Sequence, residues 1–381
     1  MRLALLTWSL LSTTGEASAA RCAPTAWPHW QAYTQRFMEA SGRVVDRSAG
    51  DRSTSEGQAY ALFFALVAGE RQRFARVLEW TNNNLAAGKL GQELPAWKWG
   101  RKKSGAWGVL DQNAASDADL WLAYTLLEAA RLWRVPRYRA LGVKLLAAVV
   151  EHEITVLPGF GPMLLPGPKG FVHPDKPLWR LNPSYLPLQL LRRFQSLDLP
   201  GPWKDLANNS VALQRRSGAR RLVPDWAAWR PNEGFVTDPR NGPAGSYDAI
   251  RSYLWASMLP PDETHQGPLR RALGGLYRIW KHTGRVPERV NTRTGARKGT
   301  GPVGFFAALL PEAMARADVQ SIAKLRRQLR RRRHATGLYG SPESYYDQNL
   351  VLFALGFADG RYRFAASGAL EPAWRTQCKG Q

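Results

Sequence analysis

Thr54-Ser55-Glu56-Gly57-Gln58-Ala59-Tyr60-Ala61-Leu62-Phe63-Phe64-Ala65-Leu66-Val67 is the stretch from which the fold is best predicted. After a short polar start, apolar side chains cover nearly every side of a predicted helix over 56–69. A helix that is apolar all round has to be surrounded by other elements. The predicted helix over 303–315 has the same character, whereas those over 71–86 and 318–334 carry one apolar stripe and one charged face. We therefore expect the first two inside the molecule and the other two outside.

Apolar spacing of three and four residues, with Pro and Gly punctuation, predicts few strands and twelve helices, over 25–40, 56–69, 71–86, 117–133, 136–153, 183–196, 201–216, 246–258, 267–283, 303–315, 318–334 and 342–357. Linkers of one to four residues follow the second, fourth, sixth and tenth helices, and most of the others are long. Short linkers make antiparallel pairs, so every even-numbered helix runs in the same direction. The prediction is an all-α fold, an (α/α)6 toroid or barrel of six hairpins whose long loops form a substrate cleft at one rim. A short-period solenoid is the alternative, but the chain shows no repeat of about 30–40 residues.

The composition narrows the class of protein. The chain has 381 residues, of which 44% are hydrophobic and 22% charged, which suffices for a large core and excludes a disordered chain. Its formal net charge is +23, and a basic run occupies residues 324–333. A nucleic-acid-binding patch is one interpretation of that run. A solvated positive face at a helix end is favoured, because cations suit that end of the dipole, and we expect no nucleic-acid partner.

The start of the chain resembles an export signal. Arg2 is followed by an apolar stretch over 3–11 and by the small residues Ala17-Ser18-Ala19, so residues 1–19 are predicted to be a signal peptide and 20–381 a single catalytic domain. A partly buried first helix is the alternative. Export predicts a periplasmic or secreted protein, and no later segment is apolar enough to span a membrane. In an oxidising compartment Cys22 and Cys378 are candidates for a disulfide, although two free thiols remain an alternative.

Acidic residues stand at the first turns of three even-numbered helices. They are Glu56, Asp117 and Asp248, and the parallel inner helices place all three at one rim. Each also has an ordinary interpretation: Glu56 as the second partner of a capping box that begins at Ser53, and both aspartates as charges favoured near a helix dipole. A helix N-terminus stabilises the ionised carboxylate, so a proton donor there needs burial or a neighbouring carboxylate to raise its pKa.

Large aromatic residues are concentrated in the long loops before these helices. Such rings offer faces on which the C–H groups of sugars stack, although packing within the core or loops is the alternative for each of them. The aromatic residues in the loops are Trp97, Trp99, Trp107, Trp179, Trp226, Trp229 and Phe235. Acids between aromatic platforms are typical of a cleft that binds a polysaccharide.

Several motifs resemble glycoside hydrolase family 8, and most closely its members encoded with bacterial cellulose synthase. The motifs are Thr54-Ser55-Glu56-Gly57-Gln58, Leu94-Pro95-Ala96-Trp97-Lys98-Trp99-Gly100, Ala115-Ser116-Asp117-Ala118-Asp119-Leu120-Trp121, Asn182-Pro183-Ser184-Tyr185-Leu186 and Ser246-Tyr247-Asp248-Ala249-Ile250-Arg251. The resemblance runs from about Cys22 to Cys378. It implies a six-hairpin α/α barrel and endo-hydrolysis of β-1,4-glucan with inversion at the anomeric carbon. Ala118, where many relatives have Gly, is one departure.

The same resemblance implies roles for the three acids. Glu56 is the expected proton donor, Asp248 the base, and Asp117 the residue that holds and distorts the sugar; Arg251, one turn after Asp248, is expected to keep the base ionised through an ion pair. The candidate substrate-binding residues are Trp97, Trp99, Trp107, Arg180, Asn182, Tyr185, Tyr247 and Arg251. The six histidines show no paired spacing typical of a metal site, and this chemistry requires no metal or cofactor.

The expected partner is a β-1,4-glucan chain such as cellulose, with a functional association with a cellulose synthase complex and a monomeric state. Two alternatives remain on the sequence alone. One is a non-catalytic glucan-binding component of a secretion machine, and the other is a related hydrolase acting on xylan or chitosan.

Overall fold

The computed structural model of the protein describes residues 26–377. The predicted signal peptide and both cysteines, Cys22 and Cys378, lie outside these residues. The α-helices of the described part are α1 (Pro28–Phe37), α2 (Ser55–Val67), α3 (Arg71–Leu85), α4 (Ser116–Trp133), α5 (Pro136–His152), α6 (Leu188–Ser196), α7 (Trp203–Arg216), α8 (Ala249–Ser257), α9 (Gln266–Ala272), α10 (Gly275–Thr283), α11 (Val303–Ala308), α12 (Leu310–Ala315), α13 (Val319–Arg330), α14 (Tyr345–Ala358) and α15 (Ala373–Gln377). Short 3-10 helices occupy Arg47–Ala49 and Pro183–Tyr185.

The helices form two concentric rings, so the predicted (α/α)6 barrel is confirmed. The inner ring consists of α2, α4, α6, α8, α11 with α12, and α14, and each inner helix packs against its inner neighbours and an outer helix. Every residue of α2 except Glu56 is buried, and the same holds for the whole of α8. The outer helix α3, by contrast, buries only five side chains along one stripe. Burial therefore follows the apolar pattern from which the two rings were predicted.

Aromatic side chains from four inner helices fill the centre of the barrel. Tyr60 of α2 lies 5.0 Å from Phe353 of α14 and 5.9 Å from Trp121 of α4, measured between ring centroids. Trp255 of α8 completes the group at 5.3 Å from Trp121 and 4.9 Å from Phe353. Edge-to-face pairs of this kind add about 0.5–1.5 kcal/mol each beyond the area they bury. The contact between Tyr60 and Phe353 closes the ring between α2 and α14.

Three predicted helices are broken in the structure, each at a Pro or Gly in the sequence. The helix predicted over 303–315 divides into α11 and α12 because Pro311 lacks the amide hydrogen that a continuous helix needs there. Pro187 separates the 3-10 helix Pro183–Tyr185 from α6, and Gly274 lies between α9 and α10. The inner ring thus keeps its order, but its third member, α6, is preceded by a short 3-10 helix and its fifth is divided into α11 and α12. The break at Gly274 lies in the outer ring, after α8.

Short strands, which the sequence did not predict, organise the long loops. They are β1 (Ser53–Thr54), β2 (Lys98–Arg101), β3 (Trp107–Asp111), β4 (Ile154–Leu157), β5 (Gly161–Leu164), β6 (Trp179–Leu181), β7 (Ala227–Arg230), β8 (Gly234–Thr237), β9 (Ala244–Gly245), β10 (Arg289–Asn291), β11 (Arg297–Lys298), β12 (Tyr362–Phe364) and β13 (Leu370–Pro372). All pairs are antiparallel, and β1 joins β2 with Thr54 opposite Lys98. The sheets that contain β1, β6 and β9 attach the long loops to the starts of inner helices at the predicted cleft.

The opposite end of the barrel is closed by the hairpin β12–β13. Glu128, fully buried in α4, accepts hydrogen bonds from Nε of Arg193 at 2.6 Å and from the backbone N–H of Leu370 at 2.7 Å. Tyr124 of α4 donates to the carbonyl of Gly368 at 2.8 Å. One end is therefore sealed and the other is left for the long loops. Within residues 26–377, none of the helices is long and apolar enough to cross a membrane.

Candidate active site

Glu56 is not used to cap its own helix. The N-cap of α2 is Thr54, whose hydroxyl accepts from the backbone N–H of Gly57 at 3.1 Å, so the capping box predicted from Ser53 to Glu56 is wrong. Ser53 instead donates its hydroxyl to the carbonyl of Val44 at 2.6 Å. The Glu56 carboxylate is thereby free to point across the mouth of the barrel.

One guanidinium, that of Arg251, gathers the three predicted acids. Its Nη1 contacts Oε2 of Glu56 and lies 3.6 Å from Oδ2 of Asp117. Its Nη2 donates to Oδ1 of Asp248 at 2.8 Å. The three carboxylates come from α2, α4 and the start of α8, so the structure brings together residues that are far apart in the chain. The ion pair predicted between Arg251 and Asp248 is present, and the additional contacts with Glu56 and Asp117 were not predicted.

A polar layer behind Arg251 fixes its orientation. Nη2 of Arg251 donates to the hydroxyl oxygen of Ser184 at 3.1 Å, and that hydroxyl donates to Oδ1 of Asn182 at 2.7 Å. Asn182 also caps the 3-10 helix by accepting from the backbone N–H of Ser184 at 3.0 Å. The guanidinium lies over the ring of Tyr185 at 5.4 Å from its centroid. Asn182, a candidate substrate-binding residue, therefore contacts Arg251 only through Ser184, while Tyr185 packs directly against it.

Burial is the main cause of the raised pKa values of Glu56 and Asp117. It raises the pKa of Glu56 to about 7, with Arg251 opposing this and the charges of Asp117 and Asp248 adding to it. Burial also raises the pKa of Asp117, although Arg251 and the backbone N–H of Ala118, which donates to Asp117 at 2.8 Å, favour its charged form. A proton donor at a helix N-terminus needs a raised pKa. Glu56 has one, because burial outweighs the opposing effects of the helix dipole and the guanidinium.

Asp225 is a part of the site that the sequence did not reveal. Its Oδ1 accepts from three backbone N–H groups, those of Ser246 at 2.7 Å, Asp248 at 3.1 Å and Ala249 at 2.8 Å. Burial, together with the charge of Asp248, raises the pKa of Asp225 to about 6, and the three N–H donors oppose the rise. Its carboxylate thus supports the start of α8, where Asp248 lies. The signal in the sequence was an acid next to Trp226 in a long loop before α8.

Replacing Asp225 by Ala is expected to lower kcat by about ten- to a hundredfold with a smaller effect on KM, because Asp248 loses the anchor of its backbone. Three N–H groups at a helix start would lose their acceptor, so the free energy of unfolding should also fall by about 1–3 kcal/mol. Steady-state kinetics and thermal unfolding measure the two effects. Asp225→Asn, which keeps an oxygen acceptor, should recover part of kcat; equal losses in both variants would contradict the anchoring role.

Trp97, Trp99 and Trp107 lie on the loop that pairs with the start of α2. Trp99 and Trp107 stack with ring centroids 5.2 Å apart, and the Arg43 guanidinium lies over both rings, at 4.5 Å and 4.7 Å. Trp107 is 47% exposed. The carbonyl of Trp97 accepts from the backbone N–H of Ser55 at 3.1 Å, which places this residue beside Glu56. The loop therefore offers an exposed aromatic surface close to the acids.

The aromatic residues of the later loops divide between the cleft and the core. Trp226 stacks on Phe171 at 5.9 Å and lies 6.4 Å from Tyr185, which faces Arg251. Trp229, another aromatic residue of the long loops, is buried and packs against Phe160 and Phe235. Trp226 is thus connected to the acids through Tyr185, whereas Trp229 belongs to the core.

Arg180 stabilises the loops around Trp226. Its Nε and Nη2 donate to the two carboxylate oxygens of Asp238 at 2.7 Å and 3.1 Å, and Nη2 also donates to Asn241 at 2.9 Å. Its guanidinium lies over the Trp226 ring at 4.7 Å. The donors of Arg180 are therefore largely engaged within the protein, and its predicted contact with substrate stays a prediction.

Tyr247 lies on the other side of Asp248 and is 44% exposed. Its hydroxyl donates to Oε1 of Glu288 at 2.9 Å, and its carbonyl accepts from the hydroxyl of Tyr346. Its ring packs against Phe305 with centroids 5.2 Å apart. An exposed ring held at both ends next to Asp248 is suited to contact a sugar.

A second pair of acids lies behind Asp117. Asp119 and Glu153 are fully buried, and their carboxyl groups are within hydrogen-bonding reach of each other. In the described part of the chain no other side chain or backbone N–H donates to their oxygens. Burial raises the pKa of both groups well above the ordinary values. Asp119 raises the pKa of Glu153 further, whereas the hydrogen bond with Glu153 lowers that of Asp119. The pair therefore holds at least one proton in the folded protein.

This pair predicts a pH dependence of stability. A raised pKa in the folded state means that the folded protein binds a proton that the unfolded chain releases above about pH 4, so the free energy of unfolding falls as pH rises, by at most about 1.4 kcal/mol per pH unit and proton. Glu153→Gln supplies an amide donor to Asp119 and removes one such group. We expect a flatter decline of the melting temperature between about pH 5 and about pH 8. Parallel curves for the variant and the parent protein would contradict a shared proton.

An α/α barrel that gathers three carboxylates between exposed aromatic rings at one rim has the architecture of a glycoside hydrolase. The comparison with protein families identifies the kind: the model for glycosyl hydrolases family 8 matches residues 3–360. The chain belongs to this family, and the resemblance noted in its motifs is confirmed.

Relatives along almost the whole chain support this assignment. An endoglucanase of Xanthomonas axonopodis pv. citri (strain 306) is 46% identical over 369 residues, covering 97% of this chain and 94% of the relative. An endoglucanase of Pseudomonas fluorescens (strain SBW25) is 41% identical and covers 96% of this chain and 94% of the relative. The crystal structure of an endo-1,4-D-glucanase from Vibrio fischeri ES114 superposes with a TM-score of 0.84 at 38% identity, covering 92% of this chain and all of that one. The protein is therefore a glycoside hydrolase.

Proposed function

We propose that the protein is an inverting endo-β-1,4-glucanase that acts on cellulose-type chains. The observation that carries the proposal is the group of three carboxylates on Arg251, with Glu56 and Asp248 on different nitrogens of one guanidinium. The relatives named endoglucanases support the substrate class. The aromatic rings of Trp107, Tyr185 and Tyr247 around this group suit a neutral sugar chain that passes across the rim.

In this proposal Glu56 is the general acid. With its pKa raised to about 7, it holds its proton at mildly acidic pH. It donates this proton to the glycosidic oxygen as the bond to the anomeric carbon breaks, so that the leaving sugar departs with a neutral hydroxyl. Substrate that displaces water from the rim would further favour the protonated form of Glu56.

Asp248 is the general base. It takes a proton from a water molecule as the oxygen of that water attacks the anomeric carbon from the face opposite the leaving group, which inverts the configuration. Asp117, on the same guanidinium at 3.6 Å, is placed to hold the sugar ring and to stabilise positive charge on it in the transition state. Arg251 keeps the three carboxylates apart and partly neutralises them before substrate binds.

The proposal extends to the cellular setting. The signal-like residues 1–19 support export to the periplasm or the outside. The resemblance to members encoded with cellulose synthase supports a role beside cellulose synthesis, in which the enzyme cuts glucan chains during or after export. A salt-sensitive association with anionic polymers of the envelope fits the net charge of +23.

Hydrolysis of a panel of β-1,4-glucan, xylan and chitosan, with NMR of the newly formed anomer, tests this function. Rapid loss of viscosity with slow release of reducing ends, and initial formation of the α-anomer from the β-linked glucan, are expected. Initial β-anomer would contradict inversion, and faster cleavage of xylan or chitosan would contradict the substrate. Binding without any new reducing ends would favour a non-catalytic glucan-binding protein.

A further inference from the structure

A second cavity on the catalytic rim is not used by the mechanism above. It has a volume of about 600 Å³ and lies between the N-terminal ends of α11 and α14. We call it the basic pocket and define it by Tyr247, Arg331, Arg332, His334, Ser344 and Asp347. Tyr247, the residue before Asp248, forms part of its wall. A chain that crosses the acids at Tyr247 would therefore bring one of its sugars, or a group attached to it, to this pocket.

The charges of the pocket are predominantly positive. In the described part of the chain neither Arg331 nor Arg332 forms an ion pair with an acid. Among the described residues that line the pocket, the one acid is Asp347, which is buried and accepts from the backbone N–H of Gly304 at 3.2 Å. Burial raises the pKa of Asp347 to about 6, which weakens its power to neutralise the arginines.

Two contacts hold the guanidinium of Arg332 in place. Its guanidinium lies over the ring of Phe306 at 4.5 Å, and its Nη1 donates to the carbonyl of Gln328 at 2.9 Å. Partial burial lowers the pKa of Arg332, which indicates a charge that has lost water without gaining an acidic partner. Guanidinium groups bind carboxylate and phosphate oxygens through paired N–H donors. A fixed, partly desolvated arginine without an acid is therefore suited to an anionic ligand.

A neutral glucan has no negative charge with which Arg331 and Arg332 could pair. We propose that the basic pocket binds an anionic group, a carboxylate or a phosphate, that is carried as a substituent on the glucan chain. This inference rests on the proposed endoglucanase function, which it refines to a preference for anionic glucans. His334, whose Nε2 lies 2.7 Å from the carbonyl oxygen of Gly340, stands at the edge of the same pocket. The basic run over 324–333, expected to be a solvated face, thus contributes its last residues to a site.

Two soluble celluloses separate this preference from glucanase activity itself. Carboxymethyl-cellulose carries anionic groups, and hydroxyethyl-cellulose is neutral. In the variant Arg331→Gln/Arg332→Gln, the ratio of kcat/KM on the first polymer to that on the second should fall by about fivefold or more. Arg331→Lys/Arg332→Lys, which keeps the charge but not the paired donors, should retain part of the ratio.

The matched control removes two charges from α13, the helix that ends just before Arg331, at positions outside the pocket. Arg327 and Arg330 of α13 are exposed and do not line the pocket, so Arg327→Gln/Arg330→Gln has the same net charge as the test variant. It should leave the ratio unchanged. An equal fall of this ratio in both variants would show a general effect of net charge and would contradict anion binding in the basic pocket.

Affinity electrophoresis in gels that contain either polymer measures binding without turnover. The test variant should be retarded less than the control by carboxymethyl-cellulose and equally by hydroxyethyl-cellulose. Failure to cleave either polymer, with retardation as expected, would contradict the proposed function but support the pocket. Equal retardation of both variants in both gels would overturn the pocket. A thermal shift with inorganic phosphate that requires Arg331 and Arg332, with no difference between the polymers, would overturn a glucan-borne ligand in favour of a free anion.

Discussion

Replacing Glu56 by Gln is expected to lower kcat on cellulose by about a thousandfold or more, equivalent to about 4 kcal/mol, while KM changes only a few-fold. Gln has the same shape and keeps an oxygen for the contact with Nη1 of Arg251, but its amide has no acidic proton to transfer to the glycosidic oxygen. Steady-state kinetics on soluble cellulose, with binding of cello-oligosaccharides by calorimetry, measures the two parts. Near-normal turnover in the variant would remove Glu56 from the role of acid.

Two comparisons make this test specific. A dinitrophenyl cello-oligosaccharide releases a stable phenolate that needs no proton, so the same variant should lose at most about a hundredfold on it. Glu343→Gln is a matched control, because Glu343 lies on the same rim but bonds to the hydroxyl of Thr336 at 2.8 Å rather than to Arg251. Its kcat should stay within about twofold of the parent protein. A large loss in this control would point to the charge of the rim instead of a proton donor.

The pH profile gives an independent measure of the same group. Because burial raises the pKa of Glu56 to about 7, and because a general acid acts in its protonated form, kcat/KM should fall as pH rises above about 7. On the dinitrophenyl substrate this alkaline limb should weaken, since the proton is no longer needed. An alkaline limb of equal strength on both substrates would assign it to another group.

The ring architecture was predictable because it depends on patterns that burial imposes on the sequence. A helix such as α2 has no polar face to expose, and short linkers force antiparallel pairs, so the double ring follows from 54–67 and the linker lengths. Pro187, Gly274 and Pro311 mark the breaks in the sequence, but the apolar spacing on both sides of each predicts one continuous helix. The short strands of the loops leave a weaker pattern, because two to five residues pair only with help from the barrel beneath them.

That the three acids meet at one rim was predictable, but the contacts that connect them were not. The common direction of the inner helices is enough to place Glu56, Asp117 and Asp248 at one rim, independently of their side-chain contacts. That Arg251 contacts all three, and that Asp225 supports the start of α8, depends on loop paths and side-chain directions that no local pattern encodes. The paired acids Asp119 and Glu153 show the same limit: their partnership across α4 and α5 exists only once the helices are packed.

Asp248→Asn is expected to lower kcat on cellulose by about a thousandfold or more, because an amide cannot take the proton from the attacking water. The side-chain oxygen can still accept from Nη2 of Arg251, now 2.8 Å away, so the position of Arg251 and the binding of glucan should persist. Steady-state kinetics on soluble cellulose and calorimetry with cello-oligosaccharides measure the loss of turnover and the retained binding.

The dinitrophenyl substrate then distinguishes the base from the acid. The attack of water needs Asp248 whatever the leaving group, so Asp248→Asn should lose about as much on the activated substrate as on cellulose, in contrast to Glu56→Gln. Both acids contact one guanidinium, so a variant that merely disturbed Arg251 would affect both substrates in the same way at either position. A different response at the two positions therefore requires different roles. If Asp248→Asn recovered on the activated substrate while Glu56→Gln did not, the two roles would have to be exchanged between these carboxylates.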